Sequence, residues 1–330
     1  MADLARIAGV SVSTVSRALS DSPLINPETR ERIHALAREH HYSINVGAQN
    51  LRLKQNRTVA VIVPYDPETR QHLSDPFFLS LIGSLADALT ERGHDMLLTR
   101  IDADRLDLAA QVWHTGRASG IVLVGQWHHH DQLNALADAR MPFVVWGARL
   151  RGQRYATVGS DNTEGGRLAT AHLLAQGARR VLFFGDPGLP EIGQRHDGWR
   201  AALTAAGRRP AAADVQAVPF VTARIEQAVE RLVAERAAFD AIFAASDLMA
   251  MTIVSTLRRC GLRVPEDVRI VGYDDIALAA HFLPPLTTVR QPIEAAGVAL
   301  VESLLAQLGG AAPASALLPT ELVVRQSSGR

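Results

Sequence analysis

Apolar residues at the start of the chain repeat at the spacing of a short helix. Leu4, Ile7 and Ala8 follow the i, i+3, i+4 spacing of one buried helix face. Asp3 is expected to cap this helix, and Gly9 is expected to end it. The chain is therefore predicted to open with an amphipathic helix that packs against a neighbour.

Two further helices are predicted from capping signals and from the same spacing. Ser11 is a suitable N-cap for a helix over residues 12–19. Residues 26–28, with the sequence NPE, combine a capping residue, a proline at the first helical position and an acid in the first turn. The residues expected to face the core are Val15, Ala18, Leu19, Ile33, Leu36 and Ala37. Residues 1–44 are thus predicted to form a three-helix bundle.

The pattern changes after a polar linker at residues 45–57. From Thr58 onward, short apolar runs alternate with amphipathic helical stretches, which indicates parallel, doubly wound sheets. The predicted strands are 59–63, 96–98, 121–124, 143–146, 181–184, 241–245 and 268–272. These strands and helices are more than one such sheet holds. Two α/β lobes are therefore expected, with a ligand cleft between them.

Charge and cysteine content narrow the class of protein. The chain of 330 residues has 34 basic and 34 acidic side chains, so its overall field does not steer it to nucleic acid. Residues 1–57 have eight basic and five acidic side chains, a local net charge of +3. Cys260 is the only cysteine, which excludes an intrachain disulfide and suggests a core side chain. No apolar run suits a membrane span or a signal peptide, so we expect a cytoplasmic protein.

Several motifs resemble one family of regulators. Residues 9–19, GVSVSTVSRAL, closely resemble the helix-turn-helix of the lactose/galactose repressor family. The resemblance continues through SDN at 160–162, VGYDD at 271–275, PLTTV at 285–289 and LPTEL at 318–322, and it covers essentially the whole chain.

The resemblance implies a modular architecture. It predicts a DNA-binding headpiece at 1–44, a hinge helix and linker at 45–57, and an effector-binding and dimerisation core at 58–330. The core is expected to resemble a periplasmic sugar-binding protein with three crossovers between its lobes. The expected lobes are about 58–160 with 291–318, and about 161–290 with 319–330.

The DNA-binding residues follow from the resemblance and from the chemistry of the major groove. They are Ser11, Val12, Ser13, Thr14, Ser16, Arg17, Asn45, Ala48 and Leu51. In a helix-turn-helix the second helix enters the major groove, so Val12, Ser13 and Arg17 are expected to contact base edges. The other three polar residues of this helix suit phosphates or capping. Asn45 and Ala48 belong to the expected hinge helix, and Leu51 is expected to wedge into the minor groove.

The effector-binding residues are assigned on the same basis. They are Asp75, Phe77, Phe78, Trp146, Arg195, Phe220, Ser246, Asp274 and Gln291. Arg195 and Asp274 are the expected polar anchors, and Phe220 is the expected aromatic wall, because sugars combine hydroxyls with apolar faces. Trp146 is either a platform for the sugar or a core side chain. The next residue is Gly147, and at that position many relatives carry an acidic residue.

The function expected from this resemblance is that of a sugar-responsive transcriptional repressor. We expect a homodimer that binds a pseudo-palindromic duplex operator and is released by a mono- or disaccharide, without cofactor, metal, membrane or catalysis. The stretch WHHHD at 127–131 is interpreted as a solvated loop, since it lacks a partner cluster for a metal. A nucleobase- or nucleoside-responsive repressor is the nearest alternative. A sugar-binding protein without DNA function and an enzyme are the other classes considered.

Overall fold

The chain divides into two separate units, Met1–Asn56 and Arg57–Arg330. The structure, a computed structural model, describes residues 1–40, 42, 56–66 and 72–329. The expected hinge residues Asn45, Ala48 and Leu51 lie outside the described residues. Each unit has its own apolar core, so each is described by itself.

The first unit is the predicted three-helix bundle. Its helices are α1 (Ala2–Ala8), α2 (Val12–Leu19) and α3 (Pro27–Glu39). Gly9 has a left-handed φ of 65° that ends α1 and allows the tight turn into α2. Ser11 caps α2 and Asn26 caps α3, as predicted. The core is formed by Leu4, Ala5, Ala8, Val15, Ala18, Ile33 and Ala37.

Two expectations for α1 were wrong. Asp3 lies within the first turn of the helix, and Met1 holds the N-cap position without a side-chain hydrogen bond. Ile7 is 46% exposed, whereas Ala5 is only 5% exposed. The face of α1 that meets α2 and α3 is therefore centred on Leu4, Ala5 and Ala8, and this orientation turns Ile7 towards solvent.

The second unit contains two six-stranded sheets. The first sheet has the order β11-β5-β4-β3-β1-β2, and all its strand pairs are parallel. Its strands are β1 (Thr58–Tyr65), β2 (Asp95–Asp102), β3 (Gly120–Val124), β4 (Phe143–Trp146), β5 (Ala156–Ser160) and β11 (Ala316–Leu318). We call this sheet with its covering helices lobe one.

The second sheet has the order β12-β10-β9-β8-β6-β7. Only β12 runs antiparallel to its neighbour among the pairs described, and it lies at the edge. The strands are β6 (Val181–Phe184), β7 (Val215–Gln216), β8 (Ala241–Ala244), β9 (Arg269–Asp274), β10 (Thr287–Arg290) and β12 (Glu321–Val323). This sheet with its helices forms lobe two.

Helices cover both sheets. They are α4 (Pro76–Glu91), α5 (Asp107–His114), α6 (His130–Asp138), α7 (Asn162–Ala175), α8 (Pro190–Ala205), α9 (Thr222–Ala234), α10 (Asp247–Arg259) and α11 (Ile293–Leu308). Short 3-10 turns occupy 103–105, 212–214 and 277–280. In the described part of the chain, no helix is both long and apolar enough to cross a membrane.

The chain passes between the lobes three times, after β5, after β10 and after β11. The second passage leads into α11, which packs against β3, β4 and β5 of lobe one. This arrangement confirms the predicted fold class of a helical headpiece followed by two doubly wound lobes. Cys260 departs from expectation, because it is half-buried at the end of α10 and not a core side chain.

Candidate DNA-binding helix and ligand cleft

The N-terminal end of α2 is organised by one serine. Ser11 Oγ accepts the backbone N–H of Thr14 at 3.1 Å, which satisfies one of the unpaired donors at the helix start. The same oxygen lies 2.8 Å from Ser13 Oγ and 2.8 Å from Thr14 Oγ1. These three hydroxyls therefore form a compact polar cluster at the end of the helix.

The exposed face of α2 carries the side chains expected to contact bases. Val12 is 47% exposed, although it is apolar, and Ser13 and Arg17 are also exposed. Within the described residues, the guanidinium of Arg17 makes no hydrogen bond or ion pair with the protein. Ser16 is half-buried, and its carbonyl accepts the hydroxyl of Ser20 at 2.9 Å. An exposed valine beside a free arginine fits a surface that contacts another molecule.

A cavity lies between the two lobes of the second unit. Its empty volume is about 700 Å³, counted out to its open mouth. It receives side chains from both lobes and from the crossover between them. All nine expected effector residues line it, namely Asp75, Phe77, Phe78 and Trp146 from lobe one, Arg195, Phe220, Ser246 and Asp274 from lobe two, and Gln291. We call this space the cleft cavity.

Arg195 on α8 is held rigidly in the wall of the cleft cavity. Its Nε donates to Asn162 Oδ1 at 2.8 Å, and its Nη1 donates to the carbonyl of Ala245. The guanidinium carbon lies 3.7 Å from the centre of the Tyr273 ring. Arg195 is only 6% exposed, so the arginine is desolvated and positioned before any ligand arrives.

The helix of Arg195 approaches α7 through glycines. A Cβ at Gly166 would lie 2.1 Å from the carbonyl oxygen of Arg195, and a Cβ at Gly198 would lie 2.1 Å from that of Thr163. Because real side chains do not tolerate such distances, only glycine permits this approach. The approach is what allows Asn162, at the start of α7, to reach Arg195.

A chain of hydrogen bonds joins the two lobes at the crossover. Ser160, the last residue of β5, donates to Gln291 Oε1, and Gln291 Nε2 donates to Asp274 Oδ1 at 2.7 Å. Asp274 ends β9 with a φ of 118°, a backbone conformation that L residues rarely adopt. Burial raises the pKa of Asp274 to about 7, against the opposing effect of Arg195. The crossover thus brings a partly protonated carboxyl into the cleft.

Lobe one contributes an acid and an aromatic wall. Asp75 caps α4, and its carboxylate accepts the N–H of Phe77 at 2.9 Å. Burial raises the pKa of Asp75. The Phe77 ring lies 5.6 Å from that of Phe78 and 6.2 Å from that of Trp146. Trp146 is 5% exposed, and it packs in the core of lobe one while also lining the cavity.

Lobe two completes the wall of the cleft cavity with a helix cap and an aromatic side chain. Ser246 caps α10 and accepts the N–H of Met249 at 3.2 Å. Phe220 is half-buried against the core of lobe two. Asp247 lies behind the wall, where it accepts from the N–H of Ile276 at 2.9 Å and the hydroxyl of Thr288 at 2.6 Å. Burial raises the pKa of Asp247 well above its usual range.

Other residues of the cleft cavity were not expected from the sequence. Gln126 and Trp127 follow β3, and Glu191 lies in the first turn of α8. The rule that ligands meet the carboxyl ends of parallel strands would have found the first two. No sequence signal marks Glu191. The remaining unexpected lining residues are Val124, Gly125, Leu189 and Ile192.

The interpretation of residues 127–131 as a solvated loop holds only in part, because residues 127–129 form a turn in which only His128 is exposed. Trp127 lines the cleft cavity, and His130 begins α6 with its Nδ1 2.9 Å from the hydroxyl of Tyr155. Within the described ranges, no cluster of three His, Cys, Asp or Glu side chains is arranged to hold a metal.

Comparison with known families matches both units. Residues 1–45 match the model of bacterial regulatory proteins of the lacI family, and residues 170–328 match that of a periplasmic binding protein-like domain. The chain is 35% identical to the HTH-type transcriptional regulator CelR of Thermobifida fusca, over 98% of this chain and 96% of that protein. It is 30% identical to the sucrose operon repressor of Pediococcus pentosaceus, over 93% of this chain and 91% of that protein.

Solved structures agree with this assignment. A lac repressor dimer bound to operator superposes with a TM-score of 0.89 at 24% identity, over 99% of this chain and 98% of that one, which establishes the fold. A CelR complex with cellobiose superposes with a TM-score of 0.73 at 32% identity, over 98% of both chains. The helix-turn-helix, the two lobes and the sequence identity over nearly the full length lead to one conclusion: the chain belongs to the LacI family of bacterial transcriptional regulators.

Proposed function

We propose that this regulator is a homodimeric repressor that a sugar releases from its operator by entering the cleft cavity. The observation that carries the proposal is the convergence of the nine residues assigned from the sequence, far apart along the chain, on one cavity between two lobes. In this proposal residues 1–44 bind DNA, 45–57 form the hinge, and 58–330 bind the effector and dimerise. The protein acts where its DNA lies, in the cytoplasm, and it acts by binding alone.

The chemistry of the cavity supports a carbohydrate. Phe77, Trp146 and Phe220 offer apolar faces of the kind that cover the C–H surfaces of a sugar ring. Asp274 and Gln291 offer hydrogen-bonding groups at the crossover, and Arg195 is held in place beside them. Relatives named as sucrose and ribose operon repressors, and the CelR complex with cellobiose, support the same class of ligand.

The proposed mechanism couples the cavity to DNA binding. Two copies of α2 enter successive major grooves of a pseudo-palindrome, with Arg17, Ser13 and Val12 at base edges. Asn45, Ala48 and Leu51 form the paired hinge at the operator centre. Because Asp75 and Trp146 belong to lobe one while Arg195 and Asp274 belong to lobe two, a sugar that binds all four sets the angle between the lobes. That rotation separates the hinges and weakens DNA binding.

Calorimetry and operator binding test this proposal on the full chain. The protein first selects its own duplex from a random library, and its release from that duplex is then measured by fluorescence anisotropy. Cellobiose, glucose, sucrose, ribose, adenosine and guanine are the probes. We expect one of the sugars to bind and to release the duplex. Failure of the protein to prefer any duplex over bulk DNA would overturn the proposal.

The nucleobase or nucleoside alternative rests on one specific feature. Phe77 and Phe220 both line the cavity together with Asp274, and such a set also suits a stacked base with a hydrogen-bonded edge. Release of the duplex by adenosine or guanine, but by none of the sugars, would favour this alternative.

A further inference from the structure

The ionisable side chains of the cleft cavity are unbalanced in charge. Among the described residues, Asp75, Glu191 and Asp274 line it with carboxyl groups, and Arg195 is the one lining side chain of the opposite sign. When all four are ionised, the wall has an excess of two negative charges. Such a cavity repels an anion that enters it.

Only part of the Arg195 guanidinium is available to bind an anionic ligand. Its Nε and Nη1 are committed to Asn162 and to the carbonyl of Ala245, and its face is stacked on Tyr273. Bidentate binding of a phosphate or carboxylate requires two parallel N–H donors of one guanidinium. The two donors in use point to protein acceptors, so the arginine is left with only part of its binding capacity.

At two helix N-termini of the cleft, a side chain of the protein already accepts a backbone N–H. A helix N-terminus attracts anions through its unpaired N–H groups and its dipole. Here α4 starts at Asp75, whose carboxylate takes the N–H of Phe77. At α10 the hydroxyl of Ser246 takes the N–H of Met249, and α8 has the acidic Glu191 in its first turn. Two donors that a phosphate could use are therefore already bound by the protein.

One carboxyl oxygen of Glu191 lacks a donor. Its Oε1 is buried, and no hydrogen bond to it is made within the described residues. Burial raises the pKa of Glu191, against weaker opposing effects that include Arg195 and the backbone N–H groups of Ala148 and Gln126. A buried acceptor without a partner is costly, and a ligand hydroxyl would satisfy it, whereas an ionised phosphate or carboxylate group would not.

Gly147 explains why this acid comes from lobe two. A Cβ at Gly147 would lie 2.7 Å from the side chain of Gln126, so a side chain there would require Gln126 to move. Glu191 reaches from α8 to the backbone of Ala148, the residue after Gly147. The cavity therefore keeps an acid near the end of β4 without carrying one on that strand.

We propose that the cleft cavity selects an uncharged carbohydrate and excludes sugar phosphates and sugar acids. The inference rests on the proposed function, since it names the class of sugar that the same cavity binds. The ligand's hydroxyls donate to Asp75, Glu191 and Asp274, while its ring packs on the aromatic wall.

Matched pairs of ligands test the proposal by calorimetry on the full-length protein at pH 7.5. The pairs are cellobiose and cellobionate, glucose and glucose 6-phosphate, ribose and ribose 5-phosphate, and glucuronamide and glucuronate. For whichever pair contains a ligand, we expect the neutral member to bind at least about 100-fold more tightly, because like charges repel strongly in a partly desolvated site. A sugar acid or phosphate that binds as tightly as its neutral partner would overturn the proposal. If no sugar of either kind binds, the proposed function itself fails and this inference fails with it.

Substitution of Glu191 provides the second test. Glu191→Gln keeps the shape of the side chain and removes its ability to ionise. We expect it to weaken the neutral sugar and to reduce the preference for the neutral over the acidic member by about tenfold. Glu235→Gln, on an exposed acid at the end of α9, is the matched control and should leave the preference unchanged. An unchanged preference in the Glu191 variant, with a normal circular dichroism spectrum, would contradict the role assigned to this residue.

Discussion

The guanidinium of Arg195 stacks on the buried ring of Tyr273, with 3.7 Å between the guanidinium carbon and the ring centre. The stack connects α8, which carries the arginine, to the end of β9, which carries Asp274 in the next position. A desolvated contact of this kind is worth about 2 kcal/mol. It adds to the hydrogen bonds with Asn162 and Ala245 that hold the arginine in the wall.

Two substitutions of Tyr273 should distinguish the contribution of the ring from that of the hydroxyl. The hydroxyl is buried without a hydrogen-bond partner among the described residues, so Tyr273→Phe should leave effector affinity within about twofold and stability equal or slightly higher. Tyr273→Leu removes the stack and should weaken the effector by about tenfold or more. Calorimetry and thermal unfolding of both variants measure this. Equal losses in the two variants would show that the hydroxyl, and not the ring, matters.

Glycine substitutions should show how closely α7 and α8 must approach. Gly166→Ala places a Cβ 2.1 Å from a backbone oxygen, so we expect a loss of more than about 2 kcal/mol in the free energy of unfolding. Gly83→Ala is the matched control in α4, because nothing lies within 4 Å of the added Cβ. The control should stabilise by about 0.5–1 kcal/mol. Chemical denaturation compares them, and similar effects of the two changes would rule out the close approach.

Effector affinity should rise with pH. Burial raises the pKa of Asp274 to about 7, with Asp75 and Arg195 among the charges that face it and Asp247 beside it in the next layer. Ligand hydroxyls that donate to the carboxylate stabilise its ionised form, so binding lowers this pKa and releases a proton. A neutral sugar should therefore bind more tightly at pH 8 than at pH 5.5.

Calorimetry at pH 6.5 in buffers of different ionisation enthalpy measures the proton. Release of protons on binding is expected, and uptake would contradict the prediction. The unliganded protein provides an independent check. Between about pH 4 and pH 7 the folded protein keeps the proton of Asp274, whereas the unfolded chain, with an ordinary pKa of 3.8, loses it. The contribution of Asp274 to stability should therefore fall as the pH rises through this range.

Arg17 should determine sequence preference at one base pair. Its exposed guanidinium on α2 has no partner in the described structure, and a bidentate contact to guanine is worth about 1–3 kcal/mol. Arg17→Ala should lose that much on the selected duplex and should accept substitutions at one position. Anisotropy on the selected duplex and on its single-base variants measures both effects. An equal loss on random DNA would mean that Arg17 contacts phosphate.

The sequence predicted those parts of the fold in which burial is continuous. Strands β4 and β6 have the predicted bounds, because FVVW and VLFF are short runs of large apolar residues that each end at a glycine. Strand β5 was missed, since ATVGS mixes small and polar residues that are buried only because lobe one surrounds them. Strand β12, with the sequence ELV, is defined by its edge pairing with β10, which no local pattern reveals.

The candidate site was predicted where side chains follow strands or carry a family motif. Asp274 lies in the VGYDD motif, Arg195 was assigned from the same family resemblance, and the structure brings both to one cavity. Glu191 was missed because its position depends on how α8 meets lobe one, a relation that no spacing along the chain expresses. Ile7 was misplaced for a similar reason, since the orientation of α1 is set by its packing partners.

The coupling between the cleft cavity and the DNA-binding helix is tested most directly by one thermodynamic measurement. The affinity of the full-length protein for its neutral sugar is measured with and without a saturating amount of the selected duplex. The account predicts that the duplex weakens sugar binding by the same factor by which the sugar weakens duplex binding. A sugar that binds equally well to the free and the DNA-bound protein would contradict it.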